Sequence, residues 1–181
     1  PNVPLNLVIT LNGFERTANV FTDEDGIFHH AFKPLKGESG IYKVRAVHPD
    51  RTDKPVHGQF VINKLSVTPA ILNLSAPKNY TQTINVKVQA GDGTIVNNLY
   101  LDYAADDQPS GEKPAGVYLT PGQPIAQLSG KKTGYLPFTI WADNSANQTD
   151  SLVLKIKSAE SVPDAWGTVT INTRFSQAQP V

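Results

Sequence analysis

The sequence predicts an all-β chain of two tandem β-sandwich domains, residues 1–64 and residues 65–181. Short apolar runs alternate with polar residues at a period of two, which is the spacing of half-buried strands. The 13 glycines and 14 prolines lie between these runs rather than in one cluster, as in proteins with many turns. A length of 181 residues is long for one sandwich and sufficient for two small domains.

The first domain contains five predicted strands. In residues 5–12, three leucines and Ile9 alternate with other residues, and the following Asn12-Gly13 pair predicts a hairpin because both residues tolerate positive φ. The four later strands are predicted at residues 16–22, 27–33, 42–47 and 57–63.

Two segments of this domain carry a resemblance to a known family. They read Thr22-Asp23-x-x-Gly26-x-Phe28 and Gly40-Ile41-Tyr42-x-Val44-x-Ala46. The pattern resembles bacterial immunoglobulin-like domains, which repeat in large surface proteins and in accessory regions of secreted enzymes. The resemblance implies an immunoglobulin-like β-sandwich, a fold that usually has about seven strands. Because only five are predicted, we expect the first strand to lie upstream of Pro1.

The second domain contains seven or eight predicted strands, which suits a full sandwich. We predict an opening strand at residues 65–74 that bends at Pro69, and a polar loop at residues 106–116. The other strands are predicted at residues 81–90, 95–103, 117–120, 125–128, 134–143, 151–158 and 166–175. This pattern broadly resembles the immunoglobulin-like and fibronectin-type-III-like modules of bacterial extracellular chains.

The joint between the two domains is short. If Phe60 and Ile62 close the first sandwich and Leu65 opens the second, only Asn63 and Lys64 remain as linker, and neither is glycine or proline. Flexible linkers are usually rich in glycine and serine. We therefore expect an elongated pair of domains with a small and fairly fixed interface.

Composition excludes several classes of function. Sixteen basic and sixteen acidic residues give a formal net charge of zero, so the sequence shows no electrostatic footprint for nucleic acid or an anionic membrane. The absence of cysteine excludes disulfides, cysteine-ligated zinc and a thiol nucleophile. No apolar run reaches the roughly 18 residues of a membrane span, so we predict no membrane insertion.

No catalytic motif stands out. There is no Gly-x-Ser-x-Gly nucleophile elbow. His29 and His30 point to opposite faces if residues 27–33 form a strand, so they do not form a metal-binding pair. We predict no enzymatic activity and no cofactor.

The densest acidic group lies in and beside the 106–116 loop. Asp102, Asp106, Asp107 and Glu112 are candidate Ca²⁺ ligands, because Ca²⁺ prefers carboxylate oxygens. The alternative is a solvated loop, in which acidic residues keep a proline- and glycine-rich stretch in water. The solvated loop is the default interpretation.

Four aromatic residues are candidate ligand-binding residues: Trp141, Trp166, Tyr100 and Tyr118. If residues 136, 138, 140 and 142 face the core, Trp141 lies on the polar face of its strand. Trp166 shares its parity with threonines at 168 and 170. An exposed tryptophan can stack on a sugar ring or anchor a protein interface. The alternatives are that one or both fold over a sandwich end, or that a bulge reverses the parity.

These observations predict a non-catalytic structural, adhesion or spacer module. The chain begins at Pro1 and contains no methionine, so we interpret it as part of a larger bacterial surface or secreted protein. Its expected location is extracellular, at the cell surface or periplasmic. Its expected partners are neighbouring domains of the same chain, with carbohydrate or a surface protein as further possibilities. The alternative function is a carbohydrate-binding or protein-binding accessory module.

Overall fold

The computed structural model describes residues 2–35, 38–161 and 165–177. In these ranges the chain is all-β, with thirteen strands and no helix. The chain divides into two compact units, Pro1–Asn63 and Lys64–Val181. The strands of the first unit are β1 (Pro4–Leu11), β2 (Phe14–Phe21), β3 (Gly40–Val47) and β4 (Gly58–Ile62). Those of the second are β5 (Leu65–Thr68), β6 (Ile71–Pro77), β7 (Gln82–Ala90), β8 (Ile95–Asp102), β9 (Val117–Pro121), β10 (Ile125–Ser129), β11 (Thr133–Ala142), β12 (Thr149–Lys157) and β13 (Gly167–Ser176).

The first unit is built on one antiparallel sheet, in the order β2-β1-β3-β4. Alternate residues of β1 and β3 form its core, with Leu7, Ile9 and Tyr42 buried. Phe28 and Phe32 pack against the same core from the segment that follows β2. The described residues of this unit therefore form one sheet covered by an irregular segment, where the two sheets of a sandwich were expected.

The strand predicted at residues 27–33 is wrong, because this segment joins no sheet. The Asp23 carboxylate accepts hydrogen bonds from the N–H groups of Asp25 (3.0 Å) and Ile27 (2.8 Å), which closes a tight turn. Beyond this turn, side chains rather than a neighbouring strand hold the main chain. Arg16 Nη1 donates to the Lys33 carbonyl at 3.3 Å, and its guanidinium lies 4.5 Å from the centre of the Phe32 ring.

A half-buried carboxylate anchors the far end of this segment. Glu38 Oε2 accepts from Arg16 Nη2 (2.6 Å), the Leu35 N–H (2.7 Å) and the Tyr42 hydroxyl (3.2 Å). The Leu35 N–H is the largest influence that lowers the pKa of Glu38, and Arg16 and Tyr42 lower it further. Burial raises the pKa of Tyr42, and the Glu38 charge adds to that effect. One carboxylate thus links the irregular segment to two strands.

The second unit contains two sheets whose inner faces share one core. Their strand orders are β5-β7-β11-β9 and β10-β8-β12-β13-β6. Phe138 and Ile140 from the first sheet are buried in the same apolar cluster as Leu154 and Ile171 from the second. This is the arrangement of a β-sandwich, in which inward residues alternate with outward polar residues along each strand.

The strand predicted at residues 65–74, bent at Pro69, is two separate strands in different sheets. β5 pairs antiparallel with β7, whereas β6 crosses to the other sheet and pairs in parallel with β13 over seven residue pairs. Proline cannot donate to a ladder, so the chain leaves the first sheet at Pro69. β6, near the start of this unit, and β13, near its end, are consequently neighbours in one sheet.

Candidate functional site

The best candidate site is a pair of exposed aromatic rings in the second unit. They lie on the outer face of the sheet β5-β7-β11-β9. Along β11 the even-numbered residues from 136 to 142 are buried, which turns Trp141 to the outside. Tyr118 on β9 is the cross-strand partner of Trp141. The two ring centroids lie 4.6 Å apart with 14° between the planes, so the rings are stacked. Trp141 is 37% exposed and Tyr118 is 48% exposed.

A carboxylate fixes the position of Tyr118. The Tyr118 hydroxyl donates to Asp143 Oδ2 at 3.3 Å, while Asp143 Oδ1 accepts from the Ser145 N–H (2.7 Å) and hydroxyl (2.6 Å). The hydrogen bonds from Ser145 lower the pKa of Asp143, the hydroxyl most of all. Asp143 is therefore a charged acceptor at neutral pH, beside the aromatic pair.

A glycine brings the two elements of this site together. Gly116 has φ +69° and its carbonyl accepts the Asp143 N–H at 2.8 Å. A β-carbon at this position would lie 2.5 Å from Asp143 Oδ1, Ser145 Oγ and the Ala146 nitrogen. Only glycine satisfies both the backbone conformation and the close approach. β9 can therefore begin beside the turn that follows β11.

A buried lysine holds the same turn from below. Lys78 is 7% exposed, and its ammonium donates to the carbonyls of Asn144 (3.1 Å) and Ala146 (2.6 Å). Charged donors make stronger hydrogen bonds to carbonyls than neutral ones do. Sequence reasoning missed Gly116, Lys78, Asp143 and Ser145, because their partners are distant along the chain and no local pattern marks them.

The other two candidate aromatic residues lie elsewhere. For Trp166 the structure supports the alternative in which the indole does not lie on the polar face of a strand. β13 begins at Gly167, so strand parity does not extend to Trp166. Its indole packs against the core and its Nε1–H donates to Ser158 Oγ at 2.9 Å. Tyr100 is 36% exposed but belongs to β8, in the opposite sheet from the stacked pair.

The candidate Ca²⁺ ligands do not converge. Asp102 Oδ2 accepts from Lys157 Nζ at 2.6 Å, and this hydrogen bond raises the pKa of Lys157. Asp107 forms an ion pair with Lys155. Asp106 and Glu112 are exposed. No group of three His, Cys, Asp or Glu residues able to hold a metal ion occurs among residues 2–35, 38–161 and 165–177.

Comparisons with known proteins assign neither a family nor a function. No family model matches the chain, and no curated protein matches it. A protein of unknown function from Porphyromonas gingivalis W83 has 9% identity and a TM-score of 0.41, over 96% of this chain and 86% of that one. A family 123 glycoside hydrolase from Clostridium perfringens has 12% identity and a TM-score of 0.39, over 62% of this chain and 24% of the hydrolase.

A third similar structure is the periplasmic chaperone SfaE, with 13% identity and a TM-score of 0.37, over 64% of this chain and 60% of the chaperone. These identities and scores are too low to assign a family.

The part of the chain that the structure describes contains no helix with the length and hydropathy of a membrane span.

Proposed function

We propose that this chain is a non-catalytic structural or adhesion module of a larger bacterial surface or secreted protein, acting as a load-bearing spacer. The parallel pairing of β6 with β13 is the observation that carries the proposal. Along the chain, β6 is the first strand of the five-stranded sheet and β13 is the last. Force applied to the start of β6 and the end of β13 pulls two parallel neighbours in opposite directions. Their hydrogen bonds are then loaded together, in shear.

The strand order of the second unit supports an immunoglobulin-like assignment. An immunoglobulin constant-type domain has strands A, B, E and D in one sheet and C, F and G in the other. With β5 as A and β7 as B, the order β5-β7-β11-β9 corresponds to A-B-E-D, and β8-β12-β13 corresponds to C-F-G. The chain departs from that plan in two edge strands, β6 beside G and β10 beside C.

We propose that the first unit is a reduced module of the same kind. The Asp23 turn and the Tyr42 strand supply the sequence resemblance, and both belong to the described sheet and its adjoining turn. The unit's one sheet is covered by Phe28 and Phe32 instead of a second sheet. This role places the chain outside the cytoplasm, with neighbouring domains of its own polypeptide as its partners.

Single-molecule stretching tests the spacer role. The chain has no cysteine, so paired cysteine handles can be introduced without background. Handles at Ala70→Cys and Gln177→Cys load β6 and β13 in shear. Handles at Thr149→Cys and Gln177→Cys instead pull β12 and β13 apart from one end, so their antiparallel hydrogen bonds break one after another. We expect the first geometry to require a several-fold higher unfolding force, and equal forces would contradict the spacer role.

The stacked rings of Trp141 and Tyr118 favour a second candidate function, the binding of a carbohydrate or a protein surface. The pair exposes a large apolar area beside the charged Asp143 carboxylate. Aromatic side chains that become buried when a partner binds commonly contribute more than about 1–2 kcal/mol to binding.

A glycan array with Trp141→Ala tests this second function. We expect the variant to lose about tenfold or more in affinity for any bound glycan. Tyr135→Ala is the matched control, because Tyr135 is 59% exposed on the outer side of the same strand but stacks on no ring of the described residues. Equal affinities for both variants, or no binding of any glycan by the parent chain, would exclude carbohydrate binding by this pair.

A further inference from the structure

The outer edge of β6 is the longest charge-free strand edge among the described residues. The sheets end in six edge strands, namely β2, β4, β5, β6, β9 and β10. β2 carries Glu15 and Arg16, and β4, β5, β9 and β10 have only four or five residues each. β6 has seven residues and no charged side chain. Short or charged edges resist pairing with a further strand, and β6 has neither protection.

The main chain of β6 is paired on one side. In its parallel ladder with β13, the Thr170 N–H donates to the Ala70 carbonyl at 2.9 Å, so the even-numbered residues of β6 direct their N–H and C=O groups toward β13. The odd-numbered Ile71, Asn73 and Ser75 direct theirs to the opposite side. No other strand of the described residues pairs with them there.

The side chains along this edge are apolar toward the core and neutral toward the outside. Leu72 and Leu74 pack against the sandwich core but are only partly buried. On the outer face Ile71 is 61% exposed, and Asn73 and Ser75 are exposed as well. A strand added to this edge therefore covers apolar surface on both faces and meets no charge on β6.

We propose that β6 pairs antiparallel with β6 of a second copy of this chain, about a two-fold axis at Asn73. In this register Asn73 lies opposite Asn73 of the second copy, and Ile71 lies opposite the second copy's Ser75. All of these residues have an N–H, so each open donor meets an open acceptor. Leu72 then lies opposite the second copy's Leu74 on the core side. The edge is thus self-complementary, as a two-fold interface requires.

The pairing joins two five-stranded sheets into one continuous sheet. One strand edge is smaller than the roughly 1,200–2,000 Å² that stable interfaces bury, so we expect a weak and reversible dimer. Weak contacts of this kind add up where many copies are held together. The inference goes beyond the spacer role and does not depend on it, because single-molecule stretching involves one copy of the chain.

Sedimentation of the whole chain at increasing concentration, up to about 1 mM, tests the proposal. We expect the mean mass to rise reversibly from monomer toward dimer. Asn73→Lys and Asn73→Asp each place like charges opposite each other across the two-fold axis, so each should weaken association several-fold or more. An equimolar mixture of the two variants should associate again, because unlike charges then face each other. Asn73→Pro removes an open-edge N–H without removing a bond to β13, and should also weaken association.

Gln127→Lys and Gln127→Asp are the matched controls. Gln127 is an exposed amide on β10, at the opposite edge of the same sheet, and its Nε2 donates to Asn97 Oδ1 at 2.9 Å. Asn73 has a comparable bond to its neighbouring strand, because its Oδ1 accepts from Asn172 Nδ2 at 3.1 Å. Thermal unfolding of each variant separates loss of association from loss of fold.

Four results would overturn the proposal. One is a monomer at every concentration. Another is equal weakening by the Asn73 and Gln127 substitutions. The third is a mixture of Asn73→Lys and Asn73→Asp that stays monomeric. The fourth is association that survives Asn73→Pro unchanged, which would place the contact elsewhere on the chain.

Discussion

At the scale of single residues, two glycines with similar backbone conformations have different surroundings. Gly111 and Gly116 have φ +74° and +69°, so each lies in the region that side chains rarely adopt. A β-carbon at Gly111 would meet nothing within 4 Å, whereas one at Gly116 would collide with the turn around Asp143. Comparing alanine substitutions at the two glycines therefore separates the cost of the backbone conformation from the cost of the close contact between Gly116 and the Asp143 turn.

We expect Gly111→Ala to cost about 1 kcal/mol of unfolding free energy through backbone strain alone. Gly116→Ala should cost about 3 kcal/mol, because steric displacement of the Asp143 turn adds to the same strain. Chemical denaturation of both variants gives the difference, and the Trp141 fluorescence of Gly116→Ala should also change. Equal costs would show that the turn adapts to the added methyl group without strain.

At the scale of an element, residues 27–35 show how a side-chain network can replace a strand ladder. The sequence predicts a strand at residues 27–33, directly after the turn at residues 22–26. The Asp23 turn instead directs the chain over the face of the sheet, and Glu38 and Arg16 satisfy main-chain groups that a neighbouring strand would otherwise pair. Two carboxylates therefore hold this segment, Asp23 at its start and Glu38 at its far end.

We expect Glu38→Gln to loosen this segment. Because the pKa of Glu38 is lowered in the folded state, its carboxylate adds stability above its ordinary pKa of 4.5, and this is lost as the pH falls through the lowered value. The variant should lack that acid-dependent loss and should show faster amide exchange at Leu35. Glu24→Gln, an exposed acid in the preceding turn, is the control. An unchanged acid profile in Glu38→Gln would contradict this role.

At the scale of the whole molecule, the two units differ in how much apolar surface they bury. The second has a core drawn from two sheets, and the first has one sheet and a small cluster around Tyr42. Small units bury a smaller fraction of their surface and are correspondingly less stable. Stability should therefore be distributed unequally along the chain.

We expect residues 64–181, expressed alone, to unfold in one cooperative transition. Residues 1–63 alone should unfold at a clearly lower denaturant concentration or remain partly unfolded. Circular dichroism of both fragments provides the measurement. Tryptophan fluorescence is a second probe for the larger fragment, which contains both tryptophans. A first unit as stable as the second would show that its single sheet does not limit it.

The amino-acid sequence by itself determined the all-β class, the positions of most strands and the outward direction of Trp141. These properties follow from local alternation and turn residues, which act over a few neighbouring positions. Only the tertiary structure decided that residues 27–33 leave the sheet, that Pro69 separates strands of two sheets and that Trp166 packs inward. It also decided that Trp141 meets Tyr118. Such outcomes depend on contacts between residues far apart in the chain, which no local pattern encodes.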